Sequence, residues 1–420
     1  MYAYFTGVFT VATINPERLL ADLDHLRTFG AFGNGVVRPS LSNVDIESRQ
    51  WLCERMRAFG LDARIDGVGN VFGHSPNPGP ALLIGSHSDT QPRGGWLDGA
   101  LGVIYAIEIA RALAENPATA HLAVDPVSWI DEESTFLGCL GSRSFCGVLD
   151  ADDEAKAKNA DGLMLNDALR AAGLQDVPRT RLQRGRYLGY LEAHIEQGPY
   201  LEESGLGVGV VTSIVGIRGC TVQFVGAQNH AGTTPMDRRK DAGVALFDFA
   251  VKIREIFQSL AGESTVWTIG NACLEPGASS IIPGRAEMML QFRDADEERL
   301  NQMQAAAHSL AEQATRDGPV LVSIEPARTP ITPTIMDDAL QQGIASAAEV
   351  LAPGRWMRMP SAAGHDPMVI AHHLPCAMLF IPSIDGISHD FAEDTKREDI
   401  VLGCQVLAQA AEDLLLQARP

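Results

Sequence analysis

Five short segments of the chain are rich in imidazole and carboxylate side chains, the groups that bind divalent cations in many enzymes. These segments are Gly85–Thr90, Gly94–Gly99, Asp131–Glu133, Glu192–Gly198 and Ile387–Asp390. A mixture of nitrogen and oxygen ligands suits zinc, manganese, cobalt or nickel. None of the five segments contains a cysteine, which argues against a structural zinc site. The segments therefore indicate a site for divalent cations that is not a structural zinc site.

Each segment also has a purely structural explanation when it is taken alone. A single His-x-Asp pattern is commonly a coincidence at a strand end, and Asp131–Glu133 suits a solvated turn. His194 suits a core histidine, and His389 suits a helix cap. Three of the five segments, however, directly follow apolar strands, and the ends of neighbouring strands converge on one rim of a sheet. This convergence favours one shared site over five separate coincidences.

Helices and apolar strands alternate over most of the chain. Asn15-Pro16 combines a capping residue with a proline at the first helical position, which predicts a helix start. The apolar runs Ala81–Ile84, Ala123–Ile130 and Tyr187–Ile195 predict strands. Further helices are predicted at 45–59, at 101–113 and within the charged stretch 151–185. The alternation predicts the α/β class, with a mixed sheet whose faces are covered by helices.

The residue pattern changes in the second half of the chain. Cys220–Val225 and Ala286–Phe292 alternate apolar and polar residues, as strands with one wet face do. Two long helical patterns accompany them, so the order is strand, helix, strands, helix, strand. This order predicts a small α+β sandwich inserted as residues 217–330. The larger α/β domain is then discontinuous and comprises residues 1–216 and 331–420.

Composition limits the classes of function. The chain has 420 residues and a formal net charge of −20, which argues against binding to the phosphate backbone of nucleic acid. No run of about 18 uncharged apolar residues occurs, so no membrane span is predicted. The seven cysteines are scattered, without a C-x-x-C pair, which predicts reduced thiols in a cytoplasmic protein. Met1–Asn15 carries no charged side chain, and we interpret it as a loose leader because a signal peptide begins with basic residues.

Over residues 15–416 the sequence resembles the metal-dependent aminoacylase and carboxypeptidase superfamily. Within it, the sequence is similar to the branch of N-carbamoyl-L-amino acid hydrolases, β-ureidopropionases and allantoate amidohydrolases. In this branch an aspartate follows the first histidine closely, behind a Gly-Gly pair, as Asp98 follows His87 here. His194–Gly198 and Ala363–Asp366 are further marks of the branch. The resemblance implies a two-metal hydrolase whose discontinuous catalytic domain is interrupted by a smaller lid and dimerisation domain.

The resemblance also implies roles for individual residues of the metal site. The implied ligands, with the aspartate as a bridge and the last two completing the second ion, are His87, His194, Asp98, Glu133 and His389. Glu132 would be the general base, which takes a proton from water and returns it to the leaving nitrogen. Asp89 would be the carboxylate that orients the imidazole of His87. The expected cofactors are two divalent ions per chain, zinc or manganese first, with cobalt or nickel as alternatives.

Contacts to the substrate are implied for residues of both predicted domains. The implied residues are Gln197, His230, Ser280, Arg293, Gly364 and His365. Arg293 would bind a substrate carboxylate as a fork, and His230 would contact the tetrahedral intermediate. Ser280 departs from the pattern of the family, which commonly has an asparagine at this position. Its shorter side chain predicts room for a larger acid beside Arg293, unless a neighbour such as Asn271 supplies the amide.

The expected function is hydrolysis of the C–N bond of an N-carbamoyl group on a small acid, which releases the free amine, carbon dioxide and ammonia. Allantoate or ureidoglycolate amidohydrolases, and amidases for N-acyl amino acids, are alternatives with the same catalytic residues. A non-catalytic relative is the rival from another class, although Glu132 and Asp98 are both intact. The expected partners are a small carboxylate substrate and a second copy of the chain, which would form a homodimer through the lid. No nucleic acid or membrane partner is expected.

Overall fold

The computed structural model describes residues 13–327 and 330–418, which divide into two compact units. Unit 1 contains the described residues of 13–212, 335–359 and 364–418. Unit 2 contains those of 213–334 together with 360–363. The first twelve residues of the predicted leader lie outside the described part of the chain. Among the described helices, none is both long and apolar enough to cross a membrane.

Twelve α-helices and seventeen strands occur in the described residues. The helices are α1 (Pro16–Thr28), α2 (Asn43–Arg57), α3 (Ala100–Glu115), α4 (Leu140–Cys146), α5 (Ala151–Lys156), α6 (Leu165–Ala171), α7 (Tyr200–Glu203), α8 (Ala242–Leu260), α9 (Glu297–Asp317), α10 (Asp338–Leu351), α11 (Pro367–Ile370) and α12 (Arg397–Gln417). The strands are β1 (Ala31–Phe32), β2 (Gly35–Val36), β3 (Asp62–Ile65), β4 (Val71–His74), β5 (Ala81–His87), β6 (Val124–Trp129), β7 (Tyr187–Ile195), β8 (Val208–Ile214), β9 (Gly216–Val225), β10 (Asn229–His230), β11 (Val266–Glu275), β12 (Ile281–Ile282), β13 (Arg285–Asp294), β14 (Leu321–Pro326), β15 (Thr334–Ile335), β16 (Trp356–Ser361) and β17 (Cys376–Ile381).

A nine-stranded mixed sheet forms the centre of unit 1, which confirms the predicted α/β class. Its order is β15-β8-β17-β7-β5-β6-β4-β3, with β16 paired to β8. The four central strands β17, β7, β5 and β6 are parallel, whereas β8, β4 and β3 pair antiparallel. Every residue of β5 is buried, because helices cover the central strands. The largest apolar core combines side chains of these strands with those of α1, α2, α3, α10 and α12.

Helix starts in unit 1 follow their capping residues. The Asn15 side chain accepts the main-chain N–H of Arg18, and proline occupies the first position of α1, as predicted. The second helix begins two residues before the predicted start, because Ser42 caps it by accepting the N–H of Asp45. The helical excursion predicted at 151–185 is limited to the short helices α5 and α6. Between them the Asn159 side chain accepts two main-chain N–H groups and closes a turn.

Unit 2 has its own antiparallel sheet and its own core. The strand order is β11-β13-β9-β14, and α8 and α9 pack on one face of the sheet. Strand β13 alternates buried and exposed residues along most of its length, so one face of the sheet is apolar and the other is wet. Strand β11 is at the sheet edge and is exposed along most of its length. The core contacts come from side chains such as Phe224, Phe249, Phe257, Phe292 and Met303.

Candidate functional site

Four parallel strands bring the metal-competent segments to one edge of the large sheet. His87 is the last residue of β5, and Asp131–Glu133 follow the end of β6. His194 is the penultimate residue of β7, and the connection after β17 carries His389. Since the carboxyl ends of parallel strands meet at the same edge, these side chains converge although the chain separates them widely.

Asp98 lies at the centre of this cluster. Its Oδ1 is 3.0 Å from Nε2 of His194 and 3.4 Å from Nε2 of His87. Its Oδ2 is 3.2 Å from Nε2 of His389. The carboxylate is almost fully buried, and each of its oxygens faces a different set of imidazoles. One carboxylate is therefore shared between two neighbouring groups of ligand atoms.

Each group contains three side chains that suit a divalent cation. The ligand atoms of His87, Asp98 and His194 lie within 4.8 Å of one another, and so do those of Asp98, Glu133 and His389. Oε1 of Glu133 is buried and forms no hydrogen bond with any residue that the structure describes. A buried carboxylate oxygen without a hydrogen-bond donor needs a cation or a proton. The donor set of imidazole and carboxylate therefore fits two divalent ions.

Main-chain oxygens fix the orientation of two of the imidazoles. Nδ1 of His87 is 3.0 Å from the main-chain oxygen of Asp89, and Nδ1 of His194 is 2.8 Å from that of Ile195. A carbonyl oxygen can only accept, so Nδ1 carries a hydrogen in both rings and Nε2 is the nitrogen that faces Asp98. Oδ1 of Asp89, whose carboxylate was predicted to orient His87, is 3.9 Å from Nδ1, so the hydrogen bond to this ring is made by the main-chain oxygen of the same residue.

The carboxylates of Asp89 and Asp131 shape the loop that carries the two adjacent glutamates. The Asp89 carboxylate accepts the N–H of Asp131 at 3.1 Å and that of Glu133 at 3.2 Å. Asp131, with a φ of 58°, accepts three main-chain N–H groups, those of residues 135–137. Two buried carboxylates thus hold the loop by main-chain hydrogen bonds. This arrangement directs Glu132 toward His87 and Glu133 toward His389.

The acidic groups of the cluster have strongly shifted pKa values. Burial, with the nearby carboxylates of Asp366, Glu133 and Asp98, raises the pKa of Glu132 well above its usual range, against the opposing effect of His87. Burial and Asp98 raise the pKa of Glu133 to about 8. Burial alone would raise the pKa of Asp98, but hydrogen bonds with three imidazoles lower it well below its usual range. Bound cations would add the positive charge that these crowded carboxylates lack.

Two of the predicted substrate residues lie against the cluster in unit 1. Nε2 of Gln197 is 3.4 Å from Oδ2 of Asp98 and 3.3 Å from Nε2 of His389. The ring of His365 is buried and contacts that of His194, with 4.6 Å between centroids. Burial, with the neighbouring His194, lowers the pKa of His365 well below its usual range, so the ring is neutral. Gly364 directly precedes it in the chain.

The other three predicted substrate residues belong to unit 2. Nδ1 of His230 accepts the main-chain N–H groups of Gly232 and Thr233, so its remaining hydrogen is on Nε2. The Arg293 guanidinium donates twice to Oε1 of Gln291, at 3.1 Å in each case, and once to a main-chain oxygen. Ser280 is exposed, and its main-chain oxygen accepts the N–H of Ala231. Asn271, the predicted substitute for the missing amide, is 3.6 Å from Sγ of Cys273.

Several residues of the site were not predicted from the sequence. Gln91 donates to Oε2 of Glu133 at 2.7 Å, and Gln291 holds Arg293. Glu393 accepts the main-chain N–H of Asp98. The contact between Gln291 and Arg293 could have been predicted from their spacing, since residues i and i+2 of a strand point to the same face. Nothing in the local sequence distinguishes Glu393 from the solvated acidic residues around it.

Comparisons with known proteins agree on a family. Residues 83–413 match peptidase family M20/M25/M40. An N-carbamoyl-L-amino acid amidohydrolase of Geobacillus stearothermophilus is 32% identical over 94% of this chain and 97% of that protein. A ureidoglycolate hydrolase of Arabidopsis thaliana is also 32% identical, over 96% and 87%. The crystal structure of an amidase of the hydantoinase/carbamoylase family from Burkholderia phymatum is 55% identical, covers 97% of this chain and 99% of that chain, and superposes with a TM-score of 0.93.

Proposed function

Since the chain belongs to peptidase family M20/M25/M40 and is a hydrolase of amide C–N bonds, we propose that it hydrolyses N-carbamoyl derivatives of small amino acids. The products are the free amino acid, carbon dioxide and ammonia. The observation that carries the proposal is the shared carboxylate of Asp98, whose two oxygens face two separate ligand groups. Such an arrangement suits a pair of divalent ions rather than a single one.

The residues of unit 1 divide the chemistry between them. His87, Asp98 and His194 would hold one ion, and Asp98, Glu133 and His389 would hold the other. When bound, the two ions acidify water and stabilise negative charge on the carbonyl oxygen of the substrate. Glu132, which is partly exposed beside His87, accepts the proton of the attacking water and returns it to the leaving nitrogen. Gln197 and His365 bound the space next to these groups.

The residues of unit 2 recognise the substrate. Nε2 of His230 donates its hydrogen to the oxygen of the carbamoyl group, because its Nδ1 is already an acceptor of main-chain N–H groups. Arg293 binds the carboxylate of the amino acid by a two-pronged, charge-assisted hydrogen bond. The neutral oxygen of Gln291 orients the guanidinium without cancelling its charge.

Hydrolysis of ureidoglycolate is the second candidate function. The relative with this activity in its name is as similar to the chain as the amidohydrolase of N-carbamoyl amino acids, at 32% identity each. Both substrates combine a ureido group with a carboxylate, so they make the same demands on the residues named above.

One experiment separates these possibilities. The protein is stripped with a chelator, reloaded separately with zinc, manganese, cobalt or nickel, and assayed for ammonia release. The substrates are N-carbamoyl amino acids of increasing side-chain size, ureidoglycolate, allantoate and N-acetyl amino acids. The proposal expects no turnover without metal and the highest kcat/KM for an N-carbamoyl amino acid. Turnover in the stripped protein, or a clear preference for ureidoglycolate, would contradict it.

We also propose that the protein is a homodimer assembled through unit 2. Strand β11 is a ten-residue edge strand, and an exposed edge of this length is a template for pairing with another chain. Helix α8 carries an exposed apolar row at helical spacing, formed by Val244, Phe247 and Val251, each at least half exposed. A second copy of the chain that covers both features would remove these side chains from water.

A further inference from the structure

A buried glutamate outside the two ligand groups holds the main chain beneath Asp98. Glu393 lies between β17 and α12, and only 1% of its surface is exposed. Its Oε1 accepts the main-chain N–H groups of Leu97 at 3.1 Å and Asp98 at 3.0 Å. A carboxylate that accepts two adjacent main-chain N–H groups fixes that peptide segment in one conformation.

The second oxygen of Glu393 reaches the segment that carries His389. Its Oε2 accepts the hydroxyl of Ser388 at 2.8 Å, and the Ser388 oxygen in turn accepts Nε2 of Gln197 at 3.0 Å. The donors all point the same way, from the amide through the hydroxyl to the carboxylate. Both oxygens of Glu393 accept hydrogen bonds in this arrangement. Glutamine at this position would place an NH₂ donor where one of these acceptors stands, so one of the hydrogen bonds would have to reverse.

The Gly94-Gly95 pair makes room for this carboxylate. A Cβ atom at position 95 would lie 1.9 Å from the carboxyl carbon of Glu393, a distance at which the two cannot coexist. The φ of Gly95 is not in the left-handed region, so the backbone would tolerate alanine and only the space forbids it. The glycine noted in the sequence is thus required by a residue almost three hundred positions further along the chain.

We infer that Glu393 is a positioning residue that fixes the shared carboxylate of Asp98 relative to His389, and thereby sets the affinity of both ion positions. The inference rests on the proposed function, since it assumes that these residues bind metal. Outer residues that orient metal ligands typically change metal affinity about 10- to 100-fold when they are replaced. Glu393 reaches both ligand groups because Asp98 belongs to both.

The test measures zinc binding to the full chain after stripping with a chelator, by competition with a chromophoric chelator, alongside the midpoint of thermal unfolding. Glu393→Ala removes both contacts of the carboxylate, and Gly95→Ala displaces the carboxylate without altering it. Ser388→Ala leaves the contact with the main chain of Asp98 and removes the contact toward His389, together with the hydrogen bond from Gln197. Glu108→Ala is the matched control. Glu108 is also a buried glutamate that accepts a main-chain N–H, that of Asn15, and it is not among the candidate ligands.

We expect Glu393→Ala to weaken zinc binding about 10- to 100-fold at both positions. Ser388→Ala should weaken one position more than the other. Gly95→Ala alone should weaken zinc binding as much as Glu393→Ala does. In the double variant Gly95→Ala/Glu393→Ala, the alanine at position 95 should cause no further loss, because the carboxylate that it would displace is already absent. Glu108→Ala should lower the unfolding midpoint and leave zinc affinity unchanged. If Glu393→Ala does not fold, Gly95→Ala and Ser388→Ala decide the question.

Two results would overturn the inference, and they are distinguishable. If the wild-type chain binds two zinc ions and the variants bind them with unchanged affinity, Glu393 has only a structural role and the proposed function stands. If the wild-type chain binds none of zinc, manganese, cobalt and nickel, the proposed function fails together with this inference.

Discussion

Glu132 and Glu133 are neighbours in the chain but face different partners. Oε2 of Glu132 is 3.8 Å from Nε2 of His87, whereas Oε1 of Glu133 is 3.6 Å from Nε2 of His389. Oε2 of Glu133 is already held by Gln91, and no corresponding side-chain hydrogen bond to Glu132 is found among the described residues. The geometry therefore suits Glu133 for a fixed ligand and Glu132 for a group that exchanges a proton.

Replacing each glutamate by glutamine should separate the two roles. Glu132→Gln keeps the shape but cannot accept a proton, so we expect kcat to fall roughly 10²- to 10⁴-fold with both ions retained. Glu133→Gln weakens a ligand, so we expect the metal content to fall from two ions toward one. Steady-state kinetics and metal analysis of the same samples check both outcomes. Loss of metal in Glu132→Gln together with retention in Glu133→Gln would exchange the assignments.

Arg293 and Gln291 offer a second prediction at this scale. Arg293→Ala removes a charge-assisted hydrogen bond worth about 1.5–3 kcal/mol, so KM for a carboxylate substrate should rise roughly 10- to 100-fold. Gln291→Glu should also raise KM, because a carboxylate beside the guanidinium competes with the substrate for its charge. Gln291→Met provides the control that removes the contact without adding charge. Steady-state kinetics in which Gln291→Glu behaves like Gln291→Met would argue against an anion at Arg293.

At the scale of elements, the strand ends were predictable and the connections were not. Apolar runs ending in His87 and before Asp131 are visible in the sequence because most side chains of a strand buried on both faces are apolar. The convergence of these ends follows from the parallel class alone. Glu393 escaped prediction because its partners are remote in the chain, and the main-chain oxygen that orients His87 carries no sequence signal. The roles assigned to the site residues stay predictions until variants are tested.

The opposite edge of the same sheet is held by Asp125 at the start of β6. Its buried carboxylate accepts the N–H of Ser75, two nitrogens of Arg186 and the hydroxyl of Tyr187, and it contacts Nδ1 of His74. Burial alone would raise the pKa of Asp125, but these partners lower it overall. The group thus ties the end of β4 to the starts of β6 and β7, whereas the candidate metal ligands lie at the other ends of β6 and β7.

Asp125→Asn should therefore destabilise the fold without changing metal content. We expect a loss of about 1–3 kcal/mol at neutral pH, because charge-assisted hydrogen bonds become neutral ones. A lowered folded-state pKa means that the stabilisation is complete above the unfolded pKa, near 3.8, and is lost as pH falls through the folded value. The difference in unfolding midpoint between the two proteins should accordingly persist from pH 8 to about pH 5. A difference that vanishes at pH 6 would show that another group is responsible.

At the scale of the whole molecule, the exposed row on α8 predicts the assembly state. Phe247→Asp places a charge in the centre of the proposed dimer surface, so we expect the variant to sediment as a monomer and the wild type as a dimer. Val350→Asp is the matched control, because Val350 is an exposed apolar residue on a helix of unit 1. Sedimentation velocity of the three proteins checks the prediction. A dimeric Phe247→Asp variant would locate the interface elsewhere.

The position of β17 has a consequence for the order of events during synthesis. This strand lies between β8 and β7 in the sheet. In the chain, however, residues 213–334 of unit 2 separate β7 and β8 from β17. A growing chain therefore exposes this edge of β7 until β17 has been synthesised, by which point strands β9 to β14 of unit 2 are already present. His389 and Glu393 follow β17 in the chain, so Asp98 acquires these two neighbours only after that strand has been synthesised. The complete set of candidate ligands therefore exists only after β17 and the segment that carries His389 have been synthesised.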